Sequence, residues 1–485
     1  MSLKNQAMLI TYPNRLGKNM TELNQILQQY LPGVFGAIHI LPFYPSSGDD
    51  GFAPLNYDEV DPVMGNWANV EAITREYQVM ADVMVNHLSP QSKYFQDYLT
   101  KHNDSEYRDM FLNYDEFWPT GRPTQADVDL IYKRKDQEPF QEFTFADGQT
   151  TKLWDTFSDQ QIDLNVRSKT AMDFIENCFK ELSYHGIKII RLDAFAYALK
   201  KLDTNDFFVE PDIWQLLDHL HQFAQKYDVA ILPEIHEHYS IMRKMTAHGY
   251  FTYDFALPIV TLFTLYTKTC HRLVDWLNNS PMQQFTTLDT HDGIGVVDAK
   301  GVLSDDELDQ TVNMLYQQGA NVKRAYSSEA YHNLDVYQLN TTYYAALGDD
   351  DRQYLLARLI QIFAPGIPQI YYVGLLAGGN DLKLLEATKE GRTINRHYYD
   401  LEEVAREIDR PVVQSLLALL RLRNTNPAFD LAGNCTAKQL NAHQFTITRQ
   451  DQTGDHQLIL SIDLTTEHAT IDQVQANQRT QIFAL

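Results

Sequence analysis

The chain has 485 residues, 44% of them hydrophobic, enough for one large core and smaller modules, because single cores rarely grow past about 250–300 residues. Its formal net charge of −24, from 64 acidic against 40 basic residues, would repel nucleic acid and anionic membrane surfaces, and neither is expected as a main partner. The three cysteines, Cys178, Cys270 and Cys435, are widely spaced without a CxxC pattern, so neither a disulfide framework nor a zinc site is implied, and a reducing cytoplasmic setting is expected.

The opening MSLKNQAMLITYP carries a short apolar run without a small-residue cleavage site, so no signal peptide is expected. Apolar runs of strand length then alternate with helix-patterned sequence: AMLITY from Ala7, GAIHILPF from Gly36, YQVMADVMVNH from Tyr77, IKIIRLDAFAY from Ile187 and VAILPEIHEHY from Val229. GYFTYDFAL from Gly249, FTTLDTHDG from Phe285 and PQIYYVG from Pro368 follow. The most apolar stretch, Tyr250 to Tyr266, is broken by Asp254 and Pro258 and falls short of the ~20 residues a membrane span needs. Eight runs of this kind predict an α/β protein, a (β/α)8 TIM barrel, whose parallel strands are buried on both faces.

The spacing predicts barrel segments at 1–86, 167–293 and 349–424. The longer gaps predict an inserted domain over 87–166, after the third strand, and another over 294–348, after the seventh. Thr/Gln-rich alternation such as HQFTITR and QLILSID predicts a small C-terminal antiparallel β domain over 425–485.

Polar residues cluster at the C-terminal ends of the runs, where a barrel carries its active site. Three carboxylates lie there: Asp193 in RLDAFAY, Glu234 in LPEIHEHY and Asp292 in LDTHDG. Glycoside chemistry with retention needs one carboxylate to attack the anomeric carbon and another, ~5–5.5 Å away, to protonate the leaving oxygen. Arg191 points to the same strand face as Asp193 and would keep it ionised. Glu234 must begin protonated, which calls for partial burial or a nearby negative charge. A single aspartate at a strand end is ordinarily a cap or turn residue; the weight here lies in the set.

RLDA, the Glu at the end of the following strand, THD, and DVMVNH around His87 resemble the four signature regions of the α-amylase clan, in order and at the matching strands. The resemblance implies that Asp193 is the nucleophile, Glu234 the acid/base and Asp292 the stabiliser of the oxocarbenium-like transition state, with His87 and His291 donating to glucose hydroxyls. Asn86 matches a residue that binds calcium in many amylases, but a hydrogen-bonding structural role is preferred, and no metal or other cofactor is expected. Glu237 and His238, beside the acid, fit a solvent-facing role as well as a functional one.

Within the clan, SSGDDGFAPLNYDEVDP, NLDVYQLNTTYYAALG, PGIPQIYYVGLLAGGND and GRTINRHYY resemble the sucrose phosphorylase family. The resemblance implies transfer of glucose from sucrose to inorganic phosphate, giving α-glucose 1-phosphate and fructose through a covalent glucosyl-enzyme, by a monomer or homodimer. By motif, Asp49 and Arg392 would clamp the far hydroxyls of glucose, with Arg396 a rival for the clamp and Phe52 an apolar wall. Gln161, Tyr197 and His236 would line the donor site. The loop NLDVYQ would bring Asp335, Tyr337 and Gln338 to the fructose and phosphate side. IYKRKDQ, with Lys133, Arg134 and Lys135, offers bases for phosphate against the acidic background, Arg134 and Lys135 foremost, or else forms a solvated turn. A sucrose 6′-phosphate phosphorylase, or an α-glucosidase or transglucosidase of the clan, shares the same triad. The apolar Val336 between Asp335 and Tyr337 speaks for plain sucrose.

Overall fold

Each of the eight apolar runs contains a short parallel strand: β1 (Met8–Thr11), β2 (Ala37–Ile40), β3 (Gln78–Met84), β4 (Ile189–Asp193), β5 (Ala230–Pro233), β6 (Thr252–Asp254), β7 (Gln284–Thr286) and β8 (Ile367–Tyr371). They form the eight-stranded sheet of a (β/α)8 barrel in the order β6-β7-β8-β1-β2-β3-β4-β5. The computed structural model describes residues 3–135, 137–320, 338–475 and 478–485. The strands are shorter than the runs, and in some of them a polar residue at the strand end takes part in the turn that follows. Asp254, last in β6, is an example: its carboxylate accepts the Leu257 amide at 3.0 Å as the helix Leu257–Thr267 begins.

The chain falls into two units, one chiefly Ile40–Ile235, the other Leu3–His39 together with the described residues from His236 to Leu485. In the first unit, β3, β4 and β5 pair in parallel with Asp82 beside Arg191 and Arg191 beside Leu232. Every residue of β3 and β4 is buried, as expected of strands covered on both faces. The helix Lys169–Tyr184 covers the sheet. Its N-cap Ser168 accepts the Ala171 amide at 3.1 Å, and Ala171, Phe174, Ile175, Cys178 and Leu182 form its buried stripe. After β3 the chain builds an aromatic core from Tyr114, Trp118, Ile131 and Trp154, held by the hairpin of Phe140–Thr144 with Thr150–Trp154.

In the second unit, β6, β7, β8 and β1 pair in parallel. Beneath them the fully buried Arg358 donates from Nη2 to both oxygens of Asp289, at 2.7 and 2.9 Å. Gly374 lies against that pair, where a Cβ would come within 2.0 Å of both side chains. Ile294–Gly295 pairs antiparallel with Gln338–Leu339, and the helix Asp305–Gln317 starts from a Ser304/Glu307 capping box.

The C-terminal end is a five-stranded antiparallel sheet of β9 (Asn434–Gln439), β10 (Gln444–Gln450), β11 (Gln457–Asp463), β12 (His468–Gln475) and β13 (Gln478–Ala484). β10 and β11 alternate between buried and half-buried residues, the pattern of a sheet with one face on a core. Among the described residues, no helix is long and apolar enough to cross a membrane.

Candidate active site

The first unit carries two of the three carboxylates. Arg191 on β4 is 3% exposed and meets three acids: Asp82 on β3, Asp193 on β4 and Glu234 just after β5. Its Nη1 donates to Asp82 of β3 and, at 2.9 Å, to Asp193; its Nη2 lies 3.3 Å from Glu234. The register makes this possible: Asp82 is directly across from Arg191, and Asp193 is two residues on, on the same face. Ala194, next to Asp193, adopts a left-handed φ of 51°, and its amide donates to Glu234 Oε2 at 3.0 Å. A non-glycine residue there is strained, and the surrounding contacts over-determine it. Asp193 and Glu234 are therefore fixed relative to each other by a shared guanidinium and a shared backbone turn.

His87 Nε2 lies 2.8 Å from the Phe52 carbonyl, which also accepts from Gln161 at 3.0 Å. Burial lowers the His87 pKa, against the opposing pull of that carbonyl and of Asp163 and Asp49, so the imidazole is held neutral. The Phe52 ring faces the Arg191 guanidinium at 5.9 Å, and Asp49 sits in a turn with φ of 49°. Gly51, two residues on, has φ of 106° and so little room that a Cβ would meet Pro42 at 2.7 Å. Asn86 takes part in a buried network: its amide donates to Asp163 at 3.0 Å, and Lys200 Nζ lies 2.9 Å from Asp163 and 3.4 Å from Asn86 Oδ1. The Lys200 ammonium also donates to the Tyr197 carbonyl, so a lysine cation occupies the centre of these oxygens.

Tyr197 packs edge-on to Phe157 and Phe207 at 5.1 and 4.8 Å. The Arg134 guanidinium lies 5.6 Å from the Tyr197 ring and 6.0 Å from Phe157, and together with Lys133 it lines a small pocket with Trp154, Thr156 and Lys200. The ammonium of Lys135 is engaged by the buried Asp155.

The second unit carries the third carboxylate. Arg392 Nη2 lies 3.2 Å from Asp292, and His291 Nε2 3.6 Å from it. Burial pushes the Asp292 pKa up, but the charges of Arg392, His291, His236 and Arg396 hold it well below the usual carboxylate range. The two arginines weighed for the clamp separate here: Arg392 faces Asp292, whereas Arg396, 2% exposed, donates from Nε to the His291 carbonyl at 2.9 Å and packs over Tyr12. Asn395 donates to the backbone carbonyls of Asp292 and Thr290 at 2.8 and 3.2 Å, shaping the THD turn. His236 stacks on Phe255 at 3.7 Å and lies 3.2 Å from Asp298. Glu237 and His238 close a local turn, with the His238 amide donating to Glu237 at 3.0 Å and its Nδ1 lying 3.0 Å from the Ser240 hydroxyl. Gln338 sits across from Gly295 on the strand that follows Asp292, while Asp335 and Tyr337 lie outside the described residues.

The motifs assign no role to three contributors: Asp82, although DVMVNH begins with it, Asp155 and Lys200. Asp82 had a signal, being a carboxylate inside the otherwise apolar run of β3, which costs too much to bury without a cation. Asp155 and Lys200 acquire their roles only from contacts distant in sequence.

The family model described as the catalytic domain of alpha amylase matches residues 23–398. The chain is 58% identical over 456 residues to the sucrose phosphorylase of Streptococcus mutans, covering 94% of this chain and 95% of that one. It is 42% identical over 485 residues to the sucrose 6(F)-phosphate phosphorylase of Thermoanaerobacterium thermosaccharolyticum, with 98% of both covered. The crystal structure of a sucrose 6F-phosphate phosphorylase from Thermoanaerobacter thermosaccharolyticum superposes with a TM-score of 0.94 at 42% identity, over 100% of this chain and 99% of that one.

Proposed function

This chain belongs to the alpha-amylase family and, within it, to the sucrose phosphorylases and their close relatives; from that premise we propose that it transfers glucose from sucrose to inorganic phosphate with retention. Asp193 attacks the anomeric carbon as the bond to fructose breaks, and Glu234 gives its proton to the departing oxygen. A phosphate oxygen then attacks the same carbon, its proton passes to Glu234, and Asp193 is released with α-glucose 1-phosphate. Two inversions give net retention, and because each step can run backwards through the same two carboxyls, the transfer is reversible.

Arg191 orients both carboxyls and favours the carboxylate form of Asp193, which serves it as nucleophile in the first half-reaction and as leaving group in the second. Asp292, held ionised by Arg392, accepts from the glucose hydroxyls and stabilises the positive charge that develops on the ring. Following the resemblance of their motifs to the sucrose phosphorylases, we assign Arg134 and Gln338 to the phosphate and Arg392 and Asp49 to the hydroxyls of glucose. The acceptor distinguishes this enzyme from a hydrolase with the same triad. We place it in the cytoplasm, where phosphate is abundant and the free cysteines stay reduced.

The similarity over nearly the whole chain to a sucrose phosphorylase carries this reading, because the carboxylates alone are shared with hydrolases. Product analysis tests it. Sucrose and sucrose 6′-phosphate are each supplied with and without phosphate, following α-glucose 1-phosphate, glucose and the fructose species. Phosphate-dependent α-glucose 1-phosphate from plain sucrose is expected. Preference for the phosphorylated sugar, or glucose as the main product in the presence of phosphate, contradicts it.

A further inference from the structure

The segment bearing Arg134 is tied down at both ends by contacts that do not include Arg134 itself. On one side the Tyr132 amide donates to the Asn205 carbonyl at 2.9 Å, and the Tyr132 ring packs 5.1 Å from Phe207. On the other, the Lys135 ammonium is held by Asp155, with side-chain exposures of only 13% and 3%. Asp155 is itself anchored by the backbone around it. Its amide donates to the Pro139 carbonyl at 3.0 Å, and the neighbouring Thr156 donates from its amide to Asp163 at 3.0 Å, joining the Lys200 network. Between these anchors, Arg134 reaches the faces of Phe157 and Tyr197.

We propose that the Lys135–Asp155 pair is a positioning device for Arg134: it fixes the loop so that the guanidinium is presented to phosphate in the second half-reaction. The inference rests on the proposed function, in which Arg134 meets the acceptor. An arginine on a loose loop loses rotamer and backbone freedom when it captures an anion, whereas one already fixed loses little. Asp155 also engages the Lys135 ammonium, so Lys135 competes less for an anion with the planar, bidentate guanidinium of Arg134. Lys135 touches neither Asp193 nor Glu234 among the contacts described, so its effect falls on transfer to phosphate and spares attack on sucrose.

The test compares Lys135→Met, Lys135→Arg and Arg134→Gln in the full chain, reading the KM for phosphate, sucrose consumption, and the ratio of α-glucose 1-phosphate to free glucose. Lys135→Met is expected to raise the KM for phosphate at least tenfold and shift product towards glucose. Sucrose consumption at saturating phosphate should stay within twofold, and Lys135→Arg should restore most of the loss. A phosphate KM within twofold of the parent in Lys135→Met, or loss of sucrose consumption in step with loss of transfer, overturns the inference. If Arg134→Gln leaves phosphate KM unchanged, the acceptor role of Arg134 fails; if it raises KM while Lys135→Met does not, only the positioning role fails. Should Lys135→Met lower the unfolding midpoint, the double variant Lys135→Met/Asp155→Asn removes the buried charge as well. It must show the same rise in phosphate KM with stability regained, and a parent-like KM there overturns the inference.

Discussion

Replacing Arg191 by methionine removes the guanidinium that meets Asp82, Asp193 and Glu234. All of these groups are buried or nearly so: Arg191 is 3% exposed, Asp82 0% and Asp193 9%. Taking away one partner of a buried ion cluster costs about 3–5 kcal/mol, because the remaining charges keep their desolvation penalty and lose their compensation. Asp82→Asn in the same chain removes one of those charges and relieves part of the cost. The two changes should therefore couple, with the double variant about 1–3 kcal/mol less destabilised than the sum of the singles. Urea unfolding followed by tryptophan fluorescence at pH 7 gives the four values of the cycle. In parallel, Asp193 without its guanidinium binds a proton more readily, and the acid limb of kcat/KM for sucrose should move to higher pH in Arg191→Met. Additivity within about 0.5 kcal/mol, together with an unmoved acid limb, would refute the view that one cation organises these acids.

Asp193→Asn should lower kcat by more than about 10⁴-fold while the chain still unfolds cooperatively; activity within a hundredfold would remove Asp193 from the nucleophile role. Burial lowers the His87 pKa, so the folded state resists a proton that the unfolded chain accepts near its ordinary value of about 6.5. The stability this gives is present above that value and is lost as pH falls below it. The urea midpoint of the parent should thus drop more between pH 7 and pH 5 than that of His87→Gln, and equal drops would contradict the assignment. Gly374→Ala pushes a methyl to within 2.0 Å of Arg358 and Asp289, and it should cost at least about 3 kcal/mol or abolish soluble expression; a parent-like melting curve would show that the pair can move aside.

The barrel strands were legible in the sequence because a strand buried on both faces leaves an uninterrupted apolar run, and each of the eight runs holds one. Their ends were less so. In VAILPEIHEHY only Ala230–Pro233 is strand, since Glu234 turns out to meet Arg191 and the Ala194 amide, and local propensity does not register such distant partners. The three candidate acids, Asp193, Glu234 and Asp292, stood out by their place at strand ends and by the motifs around them. Between Arg392 and Arg396, four residues apart, the sequence offers no choice; one faces a carboxylate and the other a carbonyl because of how the turn around Asn395 is folded. Lys135 shows the same limit. In sequence it is one of three adjacent bases, and only the fold, by setting Asp155 beside it, distinguishes its environment from that of Arg134.

In the proposed reaction, glucose passes through Asp193 on its way to phosphate. Rapid acid quenching after mixing the chain with sucrose alone, followed by peptide mass mapping, tests it directly. The peptide containing Asp193 should gain the mass of one glucosyl residue, and lose it when phosphate is added as α-glucose 1-phosphate appears. A glucosyl mass on another residue, or β-glucose 1-phosphate formed with no labelled peptide, would contradict the account.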